Sequence, residues 1–469
     1  MKKNLQDIPL KSFMLSLFNE NKKILTKNDS PVISELRKSA ITNFEKLGFP
    51  SQKLEEWKNT NLNNALLKNY DCILSPEKDD VDIDKIFRCK VNNFETYLFT
   101  TLNGWYVYKK SQLTTLPSGT IVGSLAKAME VYPEIFEKHY GKYADIKKNG
   151  LNALNTAFAQ DGIFIYVPDG VEVSKPIQIV NIINTEKNIL SQPRNLIILG
   201  KNSKLTLIHC DDSITNNDSL INSVNEFFID ENATLDYYKL QNKDENSTII
   251  TTSYFFQNQD SNLTSNTIAL NGGIIRNNSH VYLNGQNCNA NVYGLYLMDR
   301  KQHIDNHVFI DHAKPNCFSN EVFKGIIDDE ASAVFNGHIL VRRNAQKTNA
   351  LQSNKNILLT DSAKVNTKPF LEIYADDVKC SHGATVGQLD TEAMFYIQSR
   401  GICEKNARIL LMYAFAAEVV NNISLKNLRE RIDTMVVKRL KGELTICDQC
   451  VLHCKDDIHI YFDIDLSKI

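Results

Sequence analysis

A turn signature that recurs along a strand-rich region constrains the fold of this chain most. From Ile163 to Val386, short β-forming runs are separated by polar turns, and no long helical pattern interrupts them. A small residue recurs in four similar turns, at Ser203, Ala233, Ala331 and Ala363. The successive gaps are 30, 98 and 32 residues, and 98 is close to three periods of the same length. A fixed period in a β-rich chain is typical of a solenoid, whose coils bury their apolar faces against one another. We therefore predict a parallel β-helix over residues 161–388, with a β-sandwich as the alternative.

Helical patterns flank this region on both sides. Residues 1–160 are predicted to be mainly helical, with one helix that begins at Ser30-Pro31 and ends at Gly48. Residues 389–445 predict a second helical domain, which begins with Asp390 as a helix cap. Residues 446–469 form a cysteine-rich tail.

Composition and charge exclude several classes of function. The 469 residues carry a net charge of −2, which argues against a general binder of nucleic acid or anionic membranes. The longest apolar run, Ile409–Ala417, is far shorter than the roughly 20 residues of a membrane span. The first residues lack the apolar segment of a secretory signal, and the ten cysteines are scattered, which favours reduced thiols. A cytoplasmic protein is expected.

Motifs of common catalytic sites are missing from the sequence. It contains no Walker P-loop, no Gly-x-Gly-x-x-Gly opening a helix and no Gly-x-Ser-x-Gly elbow. We predict no catalytic residues and a chain that is not itself an enzyme.

One alternating segment near the end of the β region could carry chemistry. In Val378–Val386, alternate residues share one face of a strand, and that face includes Cys380 and His382. A thiol beside an imidazole in an apolar strip offers soft ligands suited to iron or to a persulfide. The alternative is that both side chains simply pack in the core.

Two further groups have metal-ligand spacing. His303-x-Asp305-x-His307 could place three ligands on one strand face, although the same residues also suit solvated strand ends. The tail holds four potential zinc or iron ligands, Cys447, Cys450, His453 and Cys454. The tail lacks the distant second ligand pair of a structural zinc fold, so redox-labile thiols are the alternative.

The segment Glu404–Asn421 is apolar on more than one helical face. One stripe includes Ala407 and Leu411, and another includes Ile409 and Met412. A helix that is apolar most of the way round is buried on several sides. Either a partner docks on this helical module or the module packs on the β region.

Several motifs resemble the SufB/SufD family of iron–sulfur cluster assembly proteins. The resemblance spans most of the chain and is densest between Asp305 and Val420. Its motifs are Leu54–Leu62, Asp311–Asn320, Phe323–Gly325, Phe335–Gly337, Ala345–Asn349, Gln352–Asn356, Lys368–Asp377 and Cys380–Asp390. Gly383 stands where the SufB branch has an acidic residue, and Val386–Asp390 is similar to the SufD branch.

The resemblance implies a fold, a role and partners. It implies a right-handed parallel β-helix flanked by helices, in a non-catalytic scaffold subunit of the SUF complex. It further implies pairing with a SufB-like paralogue, and docking of a SufC-like ABC-type ATPase on the C-terminal helices. Sulfur would come indirectly from a cysteine desulfurase through a relay protein. A nascent iron–sulfur cluster would form at the interface with the SufB-like partner, near His382 and Cys380, with no cofactor held tightly by the isolated chain.

Some alternatives stay open at this point. A SufB-type subunit that itself carries the nascent cluster is the nearest one, and a β-helix carbohydrate-active enzyme is a more distant one. Whether the isolated chain is a monomer or a homodimer is also open. The resemblance gives no role to the His303 group or to the Cys447–Cys454 tail.

Overall fold

The computed structural model describes residues 9–27, 29–76, 95–107, 111–213, 215 and 217–443. In these residues the α-helices are α1 (Pro9–Leu25), α2 (Pro31–Leu47), α3 (Asn63–Leu66), α4 (Leu125–Val131), α5 (Pro133–His139), α6 (Gly150–Phe158), α7 (Thr391–Gln398), α8 (Glu404–Val420) and α9 (Lys426–Lys441). The strands are β1 (Tyr97–Leu102), β2 (Trp105–Val107), β3 (Leu113–Thr115), β4 (Ile121–Ser124), β5 (Ile163–Val167), β6 (Ile177–Ile183), β7 (Ile189–Ser191), β8 (Arg194–Leu199), β9 (Lys204–Ser213), β10 (Ser219–Ile229), β11 (Thr234–Asn242), β12 (Ser247–Gln257), β13 (Asn262–Asn271), β14 (Ile274–Leu283), β15 (Asn289–Met298), β16 (His303–His312), β17 (Phe318–Ile327), β18 (Ser332–Val341), β19 (Thr348–Leu358), β20 (Lys364–Ile373) and β21 (Val378–Gly387).

Two long sheets enclose the core. Sheet A runs in the order β20-β18-β16-β14-β12-β10-β8-β5-β4-β3, and sheet B in the order β2-β1-β6-β9-β11-β13-β15-β17-β19-β21. From β6 and β8 onward each strand pairs in parallel with the strand one coil away, so the chain winds as a β-solenoid of about eight turns. The prediction of a parallel β-helix core between helical ends is confirmed.

Left-handed residues mark one corner of the solenoid. Before successive strands of sheet B, φ is positive at Asn202, Asn232, Asp260, Asn287, Asn316 and Lys347. Asn and Asp adopt this conformation more readily than other residues with a side chain, which explains the polar turns. Paired positions in sheet B lie 27 to 31 residues apart. Ala331 precedes a strand of sheet A instead, so the 98-residue gap joins two different corners and does not count three coils.

The helices cover the outer faces of the sheets. N-terminal helices α1, α2 and α6 pack on apolar residues of β7, β10 and β12, including Leu190 and Ile250. Helix α2 is capped by Ser30 and ends at Gly48, as predicted. Helices α8 and α9 pack on the outer face of sheet B, where Ile409 and Met412 belong to one buried apolar cluster with Tyr238 and other side chains of the sheet. Among the described residues, no helix has the length and apolar character needed to cross a membrane.

A buried ion pair fastens the N-terminal region to the first coils. Arg194 and Glu226 form a 2.5 Å ion pair with both side chains fully buried. Glu226 also accepts backbone N–H groups of residues 141, 143 and 144, while Arg194 donates to Thr156 of α6 at 2.7 Å. Each charge therefore has several partners, as a buried ion pair needs.

Candidate functional site

The C-terminal end of the solenoid is open. β21 pairs with β19 along its length, and β20 pairs with β18, but neither has a further strand beside it in the described part of the chain. Such edges present rows of backbone N–H and C=O groups ready to pair with another chain. Most side chains of β21 are exposed, although the preceding strands of sheet B are largely buried.

Cys380 and His382 lie on this terminal strand and share one of its faces. Cys380 is half-buried and packs against the apolar core between the two sheets, which places its face inward. His382, two residues further along, is exposed, since β21 is the last coil strand in the part of the chain that the structure describes. Burial raises the pKa of the Cys380 thiol, and a hydrogen bond with the Ala350 backbone lowers it in part. The structure therefore brings the two predicted residues to one open surface.

The rung beneath these residues is polar. Cys380 pairs in register with Ala350, but His382 pairs with Gln352 and Ala384 pairs with Asn354. Both of these polar neighbours are buried. The predicted apolar strip is therefore confirmed where Val378 and Cys380 pack on the apolar core. Next to His382, the neighbouring strand presents polar side chains instead.

A buried carboxyl lies one rung deeper. Gln352 donates from Nε2 to Glu321 Oε2 at 2.9 Å, and Glu321 is completely buried. Burial raises the pKa of Glu321 to about 8, with the Gln352 hydrogen bond acting in the opposite direction. Gly337 of the facing sheet leaves room for both side chains, since a Cβ there would collide with Gln352 Nε2 and lie 2.9 Å from Glu321 Oε1. This packing gives a physical reason for the glycine of the Phe335–Gly337 motif.

A second polar group fills the adjoining interior columns. Tyr296 donates from its hydroxyl to Asn356 Oδ1 at 2.6 Å, and Asn354 donates to the same hydroxyl at 3.1 Å. Gly325 lies between, where a Cβ would collide with Tyr296. The interior of the last coils is therefore hydrogen-bonded as well as apolar.

The His303, Asp305 and His307 group serves another purpose. Asp305 forms a 2.5 Å ion pair with Arg276, whose guanidinium stacks on Trp57 at 3.7 Å. Asp305 also accepts from Thr60, and lies 3.0 Å from His307 Nε2. These contacts hold the Leu54–Leu62 motif against sheet A. Trp57, Arg276 and His307 also line a groove of about 480 Å³, together with His280 and His338.

No group of three or more His, Cys, Asp or Glu side chains is arranged to hold a metal ion within the described ranges. The His303 group therefore does not form the metal site that its spacing allowed. Cys447, Cys450, His453 and Cys454 lie outside the described residues, and their predicted metal binding stays a prediction.

Exposed aromatic residues mark the C-terminal helices. Helix α7 begins after Asp390, which accepts backbone N–H groups of residues 392 and 393 as the predicted cap. The same helix exposes Phe395 by 74% and Tyr396 by 58%. Helix α8 buries the stripe that contains Ile409 and Met412, so packing on the β region accounts for that part of its apolar surface. The apolar surface left for a partner is concentrated on α7.

Sequence reasoning singled out Cys380 and His382 but missed Glu321 and Gln352. A signal for them exists. In the Phe318–Ile327 and Thr348–Leu358 strands, polar residues stand at alternate positions that are apolar in earlier coils, such as Leu207. Reading that signal requires the register between coils.

Comparisons with known proteins agree with this architecture. Residues 181–415 match the model of the SUF system FeS cluster assembly SufBD core domain, and residues 10–179 match that of the SufBD protein N-terminal region. An iron–sulfur cluster assembly SufBD family protein of Synechocystis is 29% identical over 89% of this chain and 93% of its own length. The iron–sulfur cluster assembly protein SufD of Escherichia coli is 30% identical, over 84% of this chain and 90% of its own length. SufD of Bacillus subtilis is 25% identical over 88% and 96%, respectively.

The fold is that of a β-solenoid protein, and the matches over most of its length are to iron–sulfur cluster assembly proteins. This chain belongs to the SufBD family of the SUF system.

Proposed function

We propose that this chain is a non-catalytic, cytoplasmic scaffold subunit of a SufBCD-type complex that assembles iron–sulfur clusters de novo. Its relatives named SufD support that role. In this proposal a SufB-like paralogue pairs with the chain, a SufC-like ATPase docks on the C-terminal helices, and the nascent cluster is cargo shared at the paralogue interface.

The free edges of β20 and β21 are the observation that carries the proposal. Two sheets that end, in the described part of the chain, in ten-residue strands with one free edge each are suited to pairing with a second solenoid of the same kind. Phe370, Ile373 and Val386 are exposed on these two strands and would be buried by such a partner. His382 and Cys380 then lie at the junction, where they can offer an imidazole and a thiol to iron or sulfur species.

His382→Ala tests the chemical role. Because His382 is exposed, the variant is expected to fold and to form the complex almost normally while cluster assembly in cells is lost. The measurement is iron and acid-labile sulfide per purified complex. Thr385→Ala, on the same strand with its side chain on the other face, is the matched control and is expected to keep its clusters. A His382→Ala complex with normal cluster content would remove the chemical role.

The docking of the ATPase is assigned to α7. Deleting residues 390–469 would uncover the outer face of sheet B, because α8 and α9 pack there, so the deletion disturbs the solenoid as well. Phe395→Asp with Tyr396→Asp changes only exposed residues and is expected to abolish co-purification of the ATPase. Phe13→Asp alters an exposed aromatic residue on α1 and is expected to leave co-purification intact. Normal ATPase recovery with the α7 variant would place the docking site elsewhere.

A further inference from the structure

Two buried oxygen atoms beneath the open end lack hydrogen-bond partners among the described residues. They are Oε1 of Glu321 and Oε1 of Gln352, which belong to side chains joined by the 2.9 Å hydrogen bond. A buried acceptor without a partner costs free energy, so natural proteins rarely retain one without a use. Because the Gln352 amide nitrogen is committed to Glu321, its carbonyl oxygen is left for another donor.

The donor nearest along the column is His382. Glu321, Gln352 and His382 occupy paired positions of three successive strands, β17, β19 and β21, on the interior face. Paired residues of neighbouring strands are about 5 Å apart, and their side chains project on the same side. A ring N–H of His382 is therefore within reach of Gln352 Oε1 once a partner covers the open end and orders the imidazole.

A histidine that binds a metal or sulfur species needs its other nitrogen fixed. Ligating histidines generally donate that second N–H to a carbonyl or carboxylate, which sets the tautomer and the ring orientation. Gly337 keeps the space that the Glu321–Gln352 pair occupies, and burial favours the neutral form of Glu321, whose raised pKa is about 8. In its neutral form Glu321 accepts from the Gln352 amide at Oε2 and carries its own proton on Oε1, so no charge lies beneath the imidazole.

We propose that Gln352 and Glu321 are positioning residues for His382: Glu321 holds the Gln352 amide, and Gln352 Oε1 accepts one ring N–H of His382, leaving the other nitrogen free for the cluster precursor. This inference rests on the proposed role of His382 in cluster assembly. No covalent step is involved.

The test compares variants of the full chain, co-expressed with SufB-like and SufC-like subunits, by iron and sulfide per purified complex. Gln352→Met keeps the length of the side chain but removes the acceptor, and is expected to lower cluster content about 10-fold or more. Gln352→Glu keeps an acceptor beneath His382 but loses the amide that donates to Glu321, and is expected to retain several-fold more clusters than Gln352→Met while staying below wild type. Glu321→Leu removes the acceptor that holds the Gln352 amide in place but leaves Gln352 and His382 unchanged. It is expected to reduce cluster content several-fold.

Asn354→Met is the matched control. Asn354 is buried and hydrogen-bonded in the neighbouring column, which ends at Ala384 instead of His382. Its loss is expected to lower the melting temperature as much as Gln352→Met while cluster content per complex stays normal. Normal cluster content in both Gln352→Met and Glu321→Leu, with clusters lost in His382→Ala, would overturn the positioning role alone. Clusters retained in His382→Ala would overturn the proposed chemical role of His382, on which this inference rests.

Discussion

The two ends of the solenoid are built differently. Toward the N-terminal end the two sheets finish in the short antiparallel strands β2, β3 and β4, and every residue of α6 is buried where it packs on the outer face of the early coils. At the C-terminal end of the described chain both sheets stop at ten-residue strands with a free edge, and most of β21 is exposed. A solenoid without a cap exposes surface that its own coils cannot bury. The difference indicates that the N-terminal end provides stability and that the C-terminal end is shaped for a partner.

One row of inward-facing residues, one from each parallel strand of sheet B, forms an interior column that becomes polar toward the C-terminal end of the solenoid. Its members are paired in register from strand to strand: Tyr97, Ile177, Leu207, Tyr237, Ser265, Val292, Glu321, Gln352 and His382. The first half is aliphatic or aromatic, and the last three positions are polar. Polar groups in a core are retained at a cost in stability, so their concentration at the open end points to function.

The largest effect is expected from breaking the buried ion pair at the closed end. Arg194→Met leaves the Glu226 carboxylate buried with its main charged partner gone, and is expected to lower the free energy of unfolding by about 3–5 kcal/mol. Chemical denaturation measures the change. Lys201→Met removes an exposed pair with Glu231 and is expected to cost only about 0–1 kcal/mol. Similar losses in the two variants would contradict the view that the closed end is fastened by this pair.

The second prediction compares two positions of the interior column. Leu207→Ala creates a cavity among fully buried residues, and is expected to cost about 2–5 kcal/mol. His382→Ala, at the open end of the same column, is expected to cost less than about 0.5 kcal/mol because the imidazole is exposed in the isolated chain. Thermal and denaturant unfolding of the isolated chain give both values. A destabilised His382→Ala chain would instead make His382 a packing residue.

The third prediction concerns the pH dependence of stability through Glu321. Burial raises the pKa of Glu321 to about 8 in the folded chain, whereas its ordinary pKa is 4.5. Between these values the folded state holds a proton that the unfolded state has released. The stability of wild type relative to Glu321→Gln should therefore fall as pH rises, by up to about 1.4 kcal/mol per pH unit, and level off above about pH 8. Denaturant titrations at about pH 5 and about pH 8 measure the free energy of unfolding of both chains. If the difference between the two chains were the same at both pH values, Glu321 would be hydrated and its pKa would not be raised.

Sequence patterns predicted the coils more fully than they predicted the site. Ser203 and Ala233 revealed one corner because each follows an asparagine with positive φ. The same corner continues at Ser261, Cys288 and Cys317, but the changing residue types hid the repeat. Strand alternation alone placed Cys380 and His382 on one face. It could not reveal Glu321, because that residue is 61 positions away in sequence and joins the site only through the pairing of successive coils.

The smallest effect is expected at the last of the left-handed corners. Five of them use Asn or Asp, whereas the corner before β19, nearest the open end, has Lys347 at φ +59°. A lysine has no short polar group to stabilise this conformation, so its Cβ is accommodated at some cost. Lys347→Asn is expected to raise the free energy of unfolding by about 0.5–1 kcal/mol, since the backbone stays as it is and the side chain is exposed. Asn232→Lys, the reverse change at a corner nearer the closed end, also breaks the 2.8 Å bond to Asn202 and is expected to destabilise by a similar or larger amount. Denaturant unfolding of both variants measures the pair. If Lys347→Asn left the stability unchanged while Asn232→Lys lowered it, the backbone at Lys347 would not be strained. The lysine would then be retained for a contact with the partner that covers this end.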